Sequence, residues 1–385
     1  MAILAPLTQD IRLIDVTLRD GEQTAGVVFA RHEKVRIAAL LDEIGVMAAE
    51  IGYPVLGKTE QDTIRAVVDL NLGLTVTAFC RARVEDVEAA AACNAPAVVL
   101  SISTSDIHIQ RRFGQSREWV LDQMVQACRR ARELGLQITV SAEDASRTDL
   151  AFLQEFYALG IAEGAQRIRY CDTLGVDHSF GIYNRVRTLK QALSAPLELH
   201  MHDDFGMATA NVMSGLRGGA DGVAVSIGGL GERTGNSSLE EVVMALKYLY
   251  GRDLGIDTAR FREIVEYVAD ASSRAIPVWK TIVGTNVFAH ESGIHVDGVL
   301  KNPQNYEVFS PEEVGLQRQL VVGKHSGSHT IYYKFKEFGI ELTPEESAEI
   351  LAQAREMAVD LKRALFDKEL MYIYRDYQKQ KARKE

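Results

Sequence analysis

The sequence predicts an α/β fold: eight parallel strands closed into a (β/α)8 TIM barrel, followed by a C-terminal, mostly helical accessory domain. Three observations predict it. Short β-rich runs alternate with longer helical patterns eight times over about 250 residues, the length such a barrel needs. The turn after the first strand reads TLRDGEQTAG, where an open doubly wound sheet would show GxGxxG. Polar and ionisable residues recur at the carboxyl ends of the strands, where a barrel of this kind builds its site.

Taken in order, the strands fall at 12–17, 47–52, 74–80, 97–101, 136–141, 167–171, 197–202 and 222–227. Helical stretches follow near 31–45, 59–71, 84–93, 116–134, 148–163, 179–194, 207–218 and 237–250. In 116–134 the residues Trp119, Val120, Met124, Ala127, Cys128 and Ala131 share one broad stripe, the mark of a helix packed on a core. Strand one ends in Arg19, Asp20, Glu22 and Gln23, and strand two in Glu50 and Tyr53. Strand three ends in Cys80 and Arg81, strand five in Ser141, Glu143 and Asp144, and strand six in Asp172 and Thr173. Strand seven carries Glu198, His200 and His202, and strand eight runs into GGLGERTGN. A single polar strand end is explained by a helix cap, as Asp144 or Ser146 would provide. The recurrence at six or more ends is what points to a shared site.

The alternation stops near Gly251, which assigns 1–255 to the barrel. Residues 256–310 then form a linker or subdomain and 311–385 the accessory domain, with a long helix near 344–363. The net charge of -10 and the absence of a basic stripe argue against a nucleic-acid partner. No apolar run approaches the roughly 18 residues that span a bilayer, so no membrane role is expected. Cys80, Cys93, Cys128 and Cys171 show no CxxC spacing, and the amino-terminal stretch lacks a secretory pattern. Reduced thiols and a cytoplasmic location are the expectation.

The sharpest local signal is His200 and His202. Two residues apart on a strand, their imidazoles point the same way. With Asp20 from strand one as carboxylate partner, and Asn236 able to add an oxygen, they make a candidate site for Mg²⁺, Mn²⁺ or Zn²⁺. No cysteine is near in sequence, which argues against structural zinc. Two other histidine pairs are decoys. His290 and His295 in HESGIH stand five apart, whereas the zinc-protease helix needs four, and Gly293 disfavours a helix there. His325 and His329 have the right spacing but suit the start of a helix in the accessory region.

DVTLRDGEQ, SAEDASR, DTLG, LHMHDDFG, GLGERTGN and HESGIHVDG, in this order, resemble the acyltransferase family of 2-isopropylmalate, citramalate and homocitrate synthases. Hydroxymethylglutaryl-CoA lyase belongs to the same superfamily. HMHDDFG, CR after strand three, EDASR and HESGIHVDGVLK are most similar to the homocitrate synthases that serve nitrogenase cofactor assembly. The resemblance implies condensation of acetyl-CoA, as co-substrate, with 2-oxoglutarate, then thioester hydrolysis to homocitrate and CoA. The alternatives are another 2-oxo acid, as in 2-isopropylmalate or citramalate synthase, or a metal-dependent lyase.

By the same resemblance, Asp20, His200 and His202 match metal ligands, and Asn236 a residue at or near the metal. Arg19 matches the arginine that stabilises charge on the keto oxygen, and Glu143 the strand-five acid of the signature. Gln23, Ser141 and Thr173 match positions lining the 2-oxo acid. His295 matches a proton-transfer histidine delivered into the neighbouring subunit of a domain-swapped homodimer, with Glu198 as its carboxylate partner. The family's lysine-pathway members hold an arginine two positions before Ser141, where this chain has Thr139. Arg81 is the candidate cation for a second substrate carboxylate, set against a plain salt bridge to Glu85 or Asp86.

Overall fold

The computed structural model describes residues 4–5 and 7–384. It divides into two compact units, with the boundary between Ile276 and Pro277. In the first, eight parallel strands close into a barrel in sequence order. They are β1 (Arg12–Asp15), β2 (Ala48–Gly52), β3 (Thr75–Arg81), β4 (Ala97–Ser103), β5 (Gln137–Glu143), β6 (Arg167–Asp172), β7 (Leu197–Met201) and β8 (Gly222–Val225). Closure comes from β8 pairing back onto β1, from Arg12↔Gly222 to Asp15↔Val225. Seven helices return the chain between strands and an eighth follows β8: α1 (Arg31–Glu43), α2 (Lys58–Val68), α3 (Val84–Ala92), α4 (Arg117–Glu133), α5 (Leu150–Ala162), α6 (Ser179–Ala192), α7 (Ala208–Arg217) and α8 (Leu239–Leu249).

The α4 stripe buries Val120, Met124, Ala127, Cys128 and Ala131 as its periodicity predicts. Trp119 is only partly buried and packs on Phe113 with ring centroids 5.6 Å apart. Asp149, not Asp144 or Ser146, caps α5 by accepting from the Phe152 amide at 3.0 Å. Strand β1 stops at Asp15 because the chain turns at once: the amides of Arg19, Asp20 and Gly21 all reach back to the Val16 carbonyl. That turn lifts Arg19 and Asp20 over the barrel mouth.

The barrel interior departs from the branched apolar filling usual for this architecture. Inward positions of β2, β6 and β7 carry Glu50, Arg169 and Glu198, all buried. Arg169 donates through Nη1 to Glu50, and through Nε and Nη2 to Glu198 at 3.2 and 3.0 Å. Arg167 closes on Glu198 from the other side at 3.5 Å. Each buried charge is therefore met by an opposite one, without which its desolvation would be prohibitive.

Residues 256–276 belong to the barrel unit, so the first division falls about twenty residues later than the loss of alternation suggests. Helix α9 (Phe261–Ser272) buries Phe261, Ile264, Val265 and Val268. Arg260 pairs with Glu43 of α1 at 2.7 Å, and Arg274 donates to the Ala25 carbonyl at 2.6 Å. An apolar helical face and two polar ties hold this segment without a strand to announce it.

The second unit has a two-residue parallel pair, β9 (Ala289–His290) with β10 (Gln319–Leu320). Its helices are α10 (Gly293–Lys301), α11 (Ser328–Glu337), α12 (Pro344–Leu361) and α13 (Asp367–Lys384). Its core gathers Ile331, Phe335, Leu342, Ile350, Ala354, Leu370 and Ile373. Thr343 and Glu346 form a reciprocal capping box at the start of α12. Contrary to expectation, Gly293 opens a helix. His290 lies before it on β9, so the two histidines of HESGIH share no helical face. Among the described residues no helix is long and apolar enough to cross a membrane.

Candidate active site

The site is built from the residues that follow or end the strands. Asp20 comes from the turn after β1, His200 from β7 and His202 from just beyond it. One ligand atom from each lies within 4.8 Å of the other two, and all three residues are buried. His200 Nε2 and Asp20 Oδ1 are 3.9 Å apart, too far to hydrogen-bond and wide enough to share an ion. Asn236, bridged in backbone to His202, donates from Nδ2 to Asp20 Oδ2 at 2.7 Å. The Nδ1 atoms of both histidines and Oδ1 of Asn236 are buried without a protein partner.

Burial drives the His200 imidazole well below its ordinary pKa and lowers that of His202, which keeps both rings neutral with a lone pair to give. Burial pushes Asp20 the other way. The Arg19 guanidinium and the Asn236 amide oppose it, and the carboxyl is held well below the usual range. One anion and two neutral imidazoles on one wall, with orphaned polar atoms beside them, fit a divalent cation of the Mg²⁺, Mn²⁺ or Zn²⁺ class.

Arg19 stands next to this group. Its Nη1 donates to Asp20 at 2.8 Å and Gln23 at 3.1 Å, its Nε to Glu50 at 2.7 Å, and its guanidinium carbon lies 4.1 Å from the centre of the Phe79 ring. Together these fix its plane. The cavity in front measures about 430 Å³, and Arg19, Asp20, Gln23, Arg81, Ser141, Glu143, Thr173, His200 and His202 all line it. Asn236 sits directly behind Asp20. The structure thus brings ten of the twelve expected residues to one place.

Two stand elsewhere. Glu198 does not line the cavity. It lies two residues before His200 on the same face of β7, one layer deeper, and Arg169 and Arg167 occupy its carboxylate. Glu143, held by Arg112 at 2.5 Å, does reach the cavity, as do Asp20 and Glu232. His295 belongs to the second unit, exposed on α10, with its ring 4.3 Å from that of Tyr306. Arg81 forms the salt bridge its bland reading foresees, with Asp86 rather than Glu85, and still borders the cavity with its side chain half exposed.

Sequence reasoning missed Arg169, Arg112 and Phe79 as cavity residues; it set Tyr53 at the end of strand two and Arg233 in the turn after strand eight without giving either a role. Strand alternation was a usable signal for Arg169 and Phe79, since each shares the inward face with a named site residue or its neighbour. Arg112 sits on an irregular five-residue helical turn after β4, for which the sequence holds no period to read.

Comparisons with known proteins show the family. Residues 10–268 match the family described as HMGL-like, and residues 282–362 match the homocitrate synthase post-HMGL domain-like family. The chain is 56% identical to 2-isopropylmalate synthase 2 of Caldanaerobacter subterraneus subsp. tengcongensis, over 95% of each chain. It is 46% identical to homocitrate synthase 1 of Nostoc sp., covering 94% of this chain and 96% of the relative. Among solved structures, hydroxymethylglutaryl-CoA lyase of Pseudomonas aeruginosa superposes with a TM-score of 0.63 at 20% identity. The match covers 70% of this chain and 95% of the lyase, and supports the barrel fold.

Proposed function

Because the chain belongs to the HMGL-like family, in the group that holds the homocitrate and 2-isopropylmalate synthases, we propose that it condenses acetyl-CoA with 2-oxoglutarate and releases homocitrate and CoA. It is an enzyme of the acyltransferase type. The observation that carries the choice of substrate is the cavity lining: Arg19, Arg81, Arg112, Arg169 and Arg233 all face one space of about 430 Å³. A guanidinium-rich wall suits an acid with two carboxylates better than one with a branched apolar end. The motif likeness to the nitrogenase-cofactor homocitrate synthases supports the same product.

Asp20, His200 and His202 would hold the divalent cation, with Asn236 orienting Asp20. When bound, that ion supplies Lewis-acid polarisation of the keto carbonyl. Arg19, fixed by Asp20, Glu50 and Phe79, stabilises negative charge as it grows on the keto oxygen. Gln23, Ser141 and Thr173 border the bound acid. A thioester methyl is a weak acid and needs a positioned base, the role we give to His295, with Glu143 as a carboxylate of the cavity wall. We propose that His295 reaches the site of a second subunit in a domain-swapped homodimer. Val28, Leu56, Ile107, Phe180 and Phe205 support this: all are exposed, and all lie on loops or helix starts at the carboxyl ends of the strands. Such apolar groups mark a surface that another chain covers.

A second reading follows from the 56% identical relative, whose name assigns it 2-isopropylmalate synthesis. On that reading the 2-oxo acid ends in a branched apolar group packed on Tyr53 and Phe79. A panel of 2-oxo acids with acetyl-CoA, followed by thiol release, separates the two. Highest kcat/KM on 2-oxoglutarate supports homocitrate synthase. Highest kcat/KM on 2-oxoisovalerate supports the second reading.

A further inference from the structure

We infer that Arg169 is the specificity-determining cation of the cavity, placed to hold the distal carboxylate of a dicarboxylic 2-oxo acid; the inference rests on the 2-oxoglutarate reading above. Five guanidinium groups line the cavity, and four are otherwise committed or solvated. Arg19 is fixed at the keto end by Asp20 and Glu50. Arg233 spends Nε and Nη2 on Asp204, both at 2.8 Å, and Nη2 also donates to the Thr173 carbonyl. Arg81 and Arg112 are 51% and 54% exposed, so water competes for any anion they meet. Arg169 is 1% exposed. Discrimination by charge is strongest where the group that meets the anion is cut off from water, because water then cannot stand in for a missing carboxylate.

Its position fits the length of the substrate. Arg169 lies beside Ser141 in the β5–β6 register, and two residues before Cys171, which is paired with His200. Two residues of strand span about 6.6 Å, so the guanidinium sits one layer beneath the metal-facing histidine. In a five-carbon 2-oxo diacid, three C–C bonds of about 1.5 Å separate the keto carbon from the distal carboxyl carbon, and the carboxylate oxygens reach further. Ser141, whose hydroxyl now contacts Cys171 Sγ at 3.2 Å, lies alongside as a second donor.

Arg169 also has bonds to give. It directs three N–H groups to Glu50 and Glu198, which leaves two of a guanidinium's five. Both glutamates have a second arginine, Arg19 on Glu50 and Arg167 on Glu198. Turning part of Arg169 toward a substrate therefore strands neither carboxylate.

The test compares kcat/KM for 2-oxoglutarate with that for 2-oxobutanoate, a monocarboxylic analogue, in wild type, Arg169→Gln, Arg169→Lys and the double variant Arg81→Ala/Arg112→Ala. Arg169→Gln is expected to lose roughly 100-fold of the preference for the diacid. Arg169→Lys should recover part of it; the double variant removes two groups of the cavity wall and should lower turnover of both acids while keeping their ratio within about three-fold. An unchanged ratio in Arg169→Gln, or a ratio abolished in the double variant, overturns the assignment. The double variant leaves Arg169 and its two glutamates in place, so a ratio lost there counts against Arg169 even if Arg169→Gln fails to fold. A wild-type enzyme that turns over monocarboxylic acids but not 2-oxoglutarate overturns the substrate reading and Arg169 together. A wild type that prefers 2-oxoglutarate through the exposed arginines overturns Arg169 alone.

Discussion

Arg19 donates from Nε to Oε2 of Glu50 at 2.7 Å, with both side chains buried, so strand two fixes the orientation of a group delivered by the turn after strand one. Burial works against the Arg19 charge, but Glu50 and Asp20 more than restore it and raise its pKa. Glu50→Gln keeps the size and weakens the hold. The expected result is a fall in kcat of roughly 10- to 100-fold with one metal ion per chain retained, since Glu50 is not among the metal-facing groups. Parallel loss of metal and activity would show that Glu50 acts on the metal wall instead.

His295→Ala should abolish condensation and leave 2-oxo acid binding within about three-fold, because a base acts on the thioester and not on the chelated acid. Steady-state thiol release and calorimetric binding of the 2-oxo acid give the two readouts. Near-normal turnover would remove His295 from proton transfer.

Asp15 makes stability depend on pH. It faces the helix layer, fully buried, and accepts from the Thr17 amide at 2.8 Å and hydroxyl at 2.9 Å. Burial raises its pKa from 3.8 to about 7. Between those values the folded chain keeps a proton that the unfolded chain releases. Its contribution is therefore full below 3.8 and lost as pH rises through about 7. Asp15→Asn removes the buried charge, so the difference in Tm between variant and wild type should move in the variant's favour from pH 5 to pH 8. A pH-independent difference would contradict the assignment.

Gly215 marks a close approach of α7 to the barrel wall. A Cβ there would lie 2.4 Å from Leu199 Cδ1. Gly215→Ala should destabilise by about 1–3 kcal/mol through overpacking, despite better helix propensity. Urea unfolding that shows the variant equal to or more stable than wild type would contradict the packing.

Much of this was legible before any coordinates. Eight alternating units define the barrel because each strand must be bracketed by helices that cover it. The spacing of His200 and His202 defines a shared face because strand side chains alternate. Arg112 escaped because irregular loops have no period. Arg169 escaped because an arginine inside a strand reads as an interruption until its partners, Glu50 and Glu198 on strands far away in sequence, are seen to neutralise it. The depth of Glu198 was not legible for the complementary reason: a two-residue step keeps the face and changes the layer. The helix at Gly293 formed against local propensity, with Val296 and Val299 buried to hold it.

The most direct test of the central claim is the number of divalent ions the chain binds when it is stripped with chelator and titrated with Mn²⁺. The account predicts one ion per chain in wild type, and sub-stoichiometric or at least 100-fold weaker binding in His200→Ala and His202→Ala. One ion per chain at wild-type affinity in both variants would contradict it.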